Sequence, residues 1–455
     1  MKNIQRTVAP SLTEGIIILF MIIGIMSVSM IGFGSVPHIP IMISILLLLL
    51  FGLFKKSQFK VLQDGMTAGA ATGLGAIFIF IFIGMLISAF MLSGTIPTLM
   101  YYGLNLTEFP FFFTAVFAIT AIIGISIGSS LTTVATVGVV FISIAGSLDF
   151  SLAVTAGAIV SGAFFGDKMS PLSDTTNLAS SVVGVDLFEH IRHMSMTTIP
   201  AFILTAVFFM FFPADLQTES AGSVVQLGDD LIATGLVHWY SLLPIGLLFL
   251  FAAKKVPALL TLTAAIIFSI VISYFHSATP VSELFQVLFS GYVSGSESEQ
   301  VNELLSRGGI ESMMFTVSLV VLALGLGGLL FTAGIIPVLF ERMTNQKNTL
   351  FKAAGTAIGT NVLVGEQYLS ILLTGETFAH QVDQEKIERK NLSRVLEDAG
   401  TVINPLVPWG VCGVFITSVL NVSVLDYLPF AFFCLVSPVI TLIYIKTGWT
   451  ITKTG

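Results

Sequence analysis

Charge is the first thing this chain lacks. Of its 455 residues only 10% are Asp, Glu, Lys or Arg, against about 25% in soluble domains. Hydrophobic residues make up 55% and the mean hydropathy is +0.96, which excludes a soluble or disordered chain and points to an all-α polytopic membrane protein. Cysteine is scarce as well: Cys412 and Cys434 both lie in apolar runs and give no disulfide framework. No phosphate-cradling G-x-x-x-x-G-K-[ST] loop occurs, so ATP-driven transport by this chain alone is not expected. Nor is there a nucleophile–base pair or a metal-ligand spacing, so the expectation is no enzyme, no cofactor and no nucleic-acid partner.

Long apolar runs are what the chain does have. A span needs about 20 apolar residues, and candidates fall at 14–33, 37–54, 72–92, 151–187, 197–213, 236–253, 256–275, 312–336, 395–420 and 427–445. Lys2 and Arg6 precede the first run, which lacks a small-residue cleavage site and reads as an uncleaved span. Loop charge, rather than the net charge of −7, sets the expected orientation. Lys55, Lys56 and Lys60, then Arg192, then Lys254 and Lys255 mark basic connections. The 214–235 loop carries Asp215, Glu219, Asp229 and Asp230, and the 276–311 loop carries Glu283, Glu297, Glu299 and Glu303. The positive-inside rule places the basic loops and both termini in the cytoplasm and the acidic loops outside a cell membrane.

Two apolar regions do not read as single spans. Residues 353–380 have Arg342, Lys347 and Lys352 before them and Lys386, Arg389, Lys390 and Arg394 after, so both ends are expected on the cytoplasmic side. Residues 109–146 lie in a stretch with no Lys or Arg between Lys60 and Lys168, so both ends can be external. Two opposed re-entrant hairpins follow. Residues 1–213 and 236–455 then share one order, from opposite sides: three spans, a hairpin, a broken span and a span. That is an inverted-topology repeat, separated by the acidic 214–235 loop, with negligible identity between the halves. Such repeats build secondary transporters whose sites sit at midplane among discontinuous helices.

The polar residues gather at the interruptions. The broken span 151–187 contains Gly166-Asp167-Lys168-Met169-Ser170-Pro171-Leu172-Ser173-Asp174-Thr175-Thr176-Asn177. A proline removes a backbone donor, and intramembrane backbone must be satisfied internally, so this stretch reads as an unwound helix centre. Asp174, with Ser170, Ser173, Thr175, Thr176 and Asn177 around it, offers oxygen ligands to a hard cation; Asp167 is a supporting carboxylate, or one neutralised by Lys168. The first hairpin holds Ser129, Ser130, Thr132, Thr133 and Thr136 at a glycine-marked break, and the second holds Thr360, Asn361 and Glu366. The broken span 395–420 holds Glu397, Asp398, Thr401 and Asn404 before two prolines, with Asp398 and Thr401 one turn apart. Glu397 and Asp398 can instead lie at the cytoplasmic entrance, paired with Arg394. His190, Arg192 and His193 read as a solvated interfacial face.

These motifs carry a family resemblance. Gly166 to Asn177, continued by Leu178-Ala179, together with Glu397-Asp398-Ala399-Gly400-Thr401 and Asn404-Pro405-Leu406-Val407-Pro408-Trp409, resembles the NhaC-type Na+/H+ antiporter family over nearly the whole chain. The resemblance implies Na+ for H+ exchange, an elevator-type carrier of the wider ion-transporter superfamily, and a homodimer. It also brings a relative activity, malate and protons against lactate and sodium; the residues alone imply only a cation-linked carrier, with a channel as the less favoured alternative. Na+ and H+ would compete chiefly at Asp174, with Glu366 and Asp398 as candidate second titrating groups, because burial disfavours a charged carboxylate and a bound cation favours it. Small organic anions remain possible cargo, although the expected core contains no arginine to grip a dicarboxylate.

Overall fold

Helix is the regular element throughout the described residues, apart from one isolated bridge between Ile387 and Lys453. The computed structural model describes residues 8–212, 218–254, 256–343 and 348–454. Lys2, Arg6, Asp215, Lys255 and Lys347 lie outside them, as do the side chains of Glu219 and Arg342.

Five described helices are long and apolar enough to cross a bilayer: Leu12–Gly32, Leu74–Leu92, Ser130–Ser147, Leu187–Met210 and Ile310–Thr332. Two bent pairs join them, Arg389–Leu406 with Val411–Leu420 at 45° and Val424–Phe430 with Phe432–Thr447 at 57°. His38–Phe54, Trp239–Ala253 and Ala258–Ser273 are shorter apolar helices. Phe20, Leu50, Ile203, Ile267 and Val439 on the outer faces are each more than half exposed. An apolar outer surface of this kind suits lipid rather than water. The chain is a multi-pass helical membrane protein.

Several connections are more ordered than hydropathy suggests. The acidic 214–235 segment, expected as a loop, contains helix Thr218–Ala233, which buries Leu227 and Leu231 one turn apart and exposes Asp229. Within 276–311 lie helices Val281–Ser290 and Glu299–Leu305. Both segments are amphipathic, and averaging apolar and acidic faces hides such a helix from a hydropathy window. The long helix Leu187–Met210 begins ten residues before the expected 197–213 span, because Asp186 caps it by accepting from the Phe188 and Glu189 amides (3.0 Å each). His190 and His193 consequently lie inside a packed helix. Both are buried, at 0% and 4% exposure, and only Arg192 of that trio faces out, so the solvated-face reading is corrected.

Helices Phe112–Ile127 and Leu152–Met169 run side by side in the same direction, with Gly162 against Phe117 and Thr120, and Gly166 against Gly124. A side chain at Gly166 would collide with the Gly124 backbone, so glycine is needed for this approach. Helix Ser130–Ser147 runs against Leu152–Met169, placing Gly138 on Ile159 and Gly146 near Leu152. The chain therefore reverses at Gly128–Ser129, and 112–147 is a helical hairpin. Helices Thr349–Val364 and Gln367–Gln384 form a second one. Ser370 Oγ donates to the Ala357 carbonyl midway (2.7 Å), and Thr349 Oγ1 donates to Glu385 Oε1 at the open end (2.8 Å).

The halves touch and echo each other. Helix Asp174–Val183 packs through Ala179 and Val183 into the apolar cluster of the second hairpin, with Leu350, Ala353, Ile371 and Leu396. Two short sequence echoes stand out against the negligible identity of 1–213 and 236–455. Gly94-Thr95-Ile96-Pro97-Thr98-Leu99 recurs as Gly334-Ile335-Ile336-Pro337-Val338-Leu339, each following a long helix at a glycine of φ 73° or 75°. The spacing of Gly166, Ser170, Pro171 and Leu172 recurs as Gly400, Asn404, Pro405 and Leu406. Both echoes sit where the backbone turns or unwinds, and backbone geometry restricts residue choice most there.

Candidate functional site

The two hairpin tips share one backbone plan. Helix Phe112–Ile127 ends on Gly128 (φ 71°, ψ 28°), whose amide donates to the Gly124 carbonyl at 2.8 Å. Ser129 is extended and caps the next helix by accepting from the Thr132 amide (3.3 Å). Helix Thr349–Val364 ends on Gly365 (φ 72°, ψ 20°), whose amide donates to the Asn361 carbonyl at 2.7 Å. Glu366 is extended and caps the next helix by accepting from the Leu369 amide (2.6 Å). An αL residue followed by a capping residue lets one helix stop and another start with their end groups satisfied.

Each tip meets a helix break. At the first break, Ser170 to Ser173, the chain restarts because Ser173 Oγ accepts from the Thr176 amide (3.3 Å). Asn177 Nδ2 ties the break together by donating to the Pro171 (3.0 Å) and Ser173 (2.7 Å) carbonyls. Gly128 rests on Leu172 and Ser170. At the second break, Asn404 Nδ2 donates to Asn361 Oδ1 (2.9 Å), and Asn404 Oδ1 accepts from the Cys412 amide (2.8 Å). Asn361 Nδ2 in turn donates to the Gly400 carbonyl (2.6 Å), and the Val411 amide donates to the Gly365 carbonyl (2.7 Å).

Between the tips and the first break lies a cavity of about 610 Å³. Asp167, Asp174 and Glu366 line it, with Ser129, Ser130, Thr132, Thr175, Asn177, Gln367 and Tyr368. Its opposite wall is apolar, from Phe80, Leu248, Leu262, Val320 and Leu324 of four other helices. Asp167 is nearly buried and accepts from Ser130 Oγ at 2.7 Å. Asp174, expected as the chief buried carboxylate, is exposed to the cavity at the first turn of its helix, a position where the helix dipole favours an anion. Among the described residues no three His, Cys, Asp or Glu side chains converge as metal ligands, so a cation here would rely on hydroxyl and carbonyl oxygens as well.

The remaining expected ligands serve other partners. Ser170 Oγ accepts from the Leu172 amide, Ser173 caps its helix, and Thr176 Oγ1 reaches the Asp167 and Lys168 carbonyls at 3.4 and 3.3 Å. Thr133 and Thr360 bond back to the Ser129 and Thr356 carbonyls (2.8 Å each), the ordinary behaviour of hydroxyls in a membrane helix. Asp398 is fully buried away from the cavity and forms an ion pair with Lys168. Ser437 Oγ and Thr197 Oγ1 each donate to it at 2.8 Å, and Thr441 Oγ1 donates as well. The two readings weighed for these charges are both corrected: Lys168 pairs with Asp398 rather than Asp167, and Arg394 donates to Thr450 Oγ1 (2.7 Å) instead of Asp398. Those partners lie 230 and 56 residues apart, beyond the reach of local spacing arguments. Thr401 is buried beside the ion pair, its hydroxyl unbonded. Gln367 and Tyr368 complete the cavity without having been expected, although they adjoin Glu366 in the tip.

The class the fold and cavity define is a multi-pass helical membrane protein with three carboxylates on one side of an interior cavity. Residues 162–449 match the Na+/H+ antiporter family. The Na(+)/H(+) antiporter NhaC of Alkalihalophilus pseudofirmus is 38% identical over 94% of both chains, and that of Bacillus subtilis is 40% identical over 90% of this chain and 91% of its own. The Malate-2H(+)/Na(+)-lactate antiporter of Bacillus subtilis is 32% identical over 98% of this chain and 96% of its own. This chain belongs to the Na+/H+ antiporter family.

Proposed function

We propose that this protein is a secondary carrier that exchanges Na+ for H+ across the cell membrane at the carboxylate-lined cavity. The observation that carries the proposal is the convergence of Asp167, Asp174 and Glu366, from a broken helix and a hairpin tip, on one cavity. A carboxylate there can hold a proton or face a cation, and each disfavours the other. Asp174 is the chief Na+ contact, with Thr132, Thr175, Asn177 and tip carbonyls as further oxygens and Asp167 and Glu366 as titrating partners. Ser170, Ser173, Thr176, Thr133, Thr360, Asn361, Asp398, Thr401 and Asn404 do not line the cavity, so a role as ligand for any of them would require the core to rearrange.

Alternating access follows from the arrangement of the walls. The hairpins and broken helices form a polar core, and the apolar wall offers a surface on which that core can slide as an elevator. We take residues 1–213 and 236–455 as inverted repeats with cytoplasmic termini, and the assembled carrier as a homodimer. A second activity, malate and protons against lactate and sodium, has the 32%-identical relative in its favour. Against it, no Lys or Arg among the described residues lines the cavity, where a dicarboxylate calls for bidentate cations. In proteoliposomes, an imposed Na+ gradient is expected to drive protons the opposite way, with no requirement for malate or lactate. Counterflow that appears only with those anions would replace the Na+/H+ reading.

A further inference from the structure

Behind the cavity, in the π-helical turn Leu396–Thr401, lies a carboxylate the exchange reading leaves unused. Glu397 is 0% exposed, and neither of its carboxylate oxygens has a hydrogen-bond partner. Thr401 Oγ1, one turn further on, has no other partner and is near enough to act on Glu397. Lys168 is the cation that reaches the neighbouring Asp398, and it is already paired with it. An ionised Glu397 would thus be a buried charge without a dedicated counter-ion and with only the Thr401 hydroxyl near it as a donor, an arrangement proteins avoid by keeping the group neutral. Single π turns inside helices recur at functional sites, and this one carries both Glu397 and Asp398.

We propose that Glu397 is a proton-binding site: it carries the exchanged proton as a neutral acid behind the cavity and releases it when a cation enters. This rests on the Na+/H+ reading. Asp167 links the two places, because it lines the cavity and its neighbour Lys168 pairs with Asp398, the neighbour of Glu397. With the cavity empty, the charge of Asp167 is not compensated by Lys168, which pairs with Asp398. A Na+ ion beside Asp167 offsets that charge, and the Glu397 proton can then leave to water through the cavity. One cation in and one proton out leave the charge of the core unchanged.

The test measures protons released per Na+ bound by purified wild-type protein and E397Q, with a pH indicator and an infrared difference spectrum. Wild type is expected to release protons on Na+ addition and to lose a carboxylic C=O band. E397Q, whose amide imitates the neutral acid, is expected to fold, to lose the Glu397 part of that band and to release at most half as many protons per Na+, the remainder coming from Asp167 and Glu366. Unchanged release in E397Q, with the band intact, overturns the proposal. So does an E397Q that fails to fold while E397D folds, because that identifies an ionised structural carboxylate. If wild type itself neither binds Na+ nor moves protons, the Na+/H+ reading fails instead.

Discussion

At Gly128 and at Gly365 the chain makes the same move: a helix stops on a left-handed glycine, one extended residue follows, and its side chain caps the next helix. The capping residue is Ser129 in one tip and Glu366 in the other. The second tip thus brings a carboxylate to the cavity directly. The first does so at one remove, through Ser130 holding Asp167. The two breaks differ in the opposite sense. Asp174, Thr175 and Asn177 at the first face the cavity, whereas Asn404 at the second is locked to Asn361 and the Cys412 amide. The two tips share a backbone geometry and differ in chemistry. The candidate site is a pair of tips and one break, not a two-fold ring of four equal parts.

That division can be broken experimentally. The largest stability effect belongs to the closed second break and its buried charges. K168M leaves Asp398 buried without its counter-ion, which costs about 3–5 kcal/mol, read as a lower unfolding temperature in detergent. K168M combined with D398L is expected to recover much of the loss, because removing both charges is far cheaper than removing one. Next comes N404L, which strands Asn361 Oδ1 and the Cys412 amide and is expected to cost about 1–3 kcal/mol. G128A and G365A each place a Cβ at positive φ, which costs about 1–2 kcal/mol, and G128A is expected to cost more because its Cβ would lie 2.6 Å from Leu172 Cβ, against 2.9 Å from the Trp409 carbonyl at Gly365. A larger loss in G365A would break this comparison of the tips. D174N should leave the unfolding temperature nearly unchanged, since the carboxylate has no fold-holding bond to lose, and should act on exchange instead. Smallest of all, D383N removes an exposed pair with Arg389 at the open end of the second hairpin and is expected to cost under about 1 kcal/mol.

Much of the scaffold was legible because lipid imposes a simple rule: apolar runs of span length become helices. The run 312–336 became Ile310–Thr332, and 256–275 became Ala258–Ser273. Helix Thr218–Ala233 was not legible, because its acidic face outweighs its buried Leu227 and Leu231 in a charge count. Within the cavity, Asp174 and Glu366 could be found from their position beside a proline or a glycine in apolar surroundings. The Lys168–Asp398 pair could not, since two charges 230 residues apart carry no local mark of each other. Ser, Thr and Asn were the least decidable. The same hydroxyl that can hold a cation can cap a helix, as Ser173 does, or bond back one turn, as Thr360 does.

Na+-driven proton flux in proteoliposomes, compared between wild type and D174N at matched reconstitution, tests the central claim most directly. Wild type should move protons against the Na+ gradient, and D174N, equally stable, should do so at least tenfold more slowly. Full flux in D174N would contradict the placing of cation and proton exchange at this cavity.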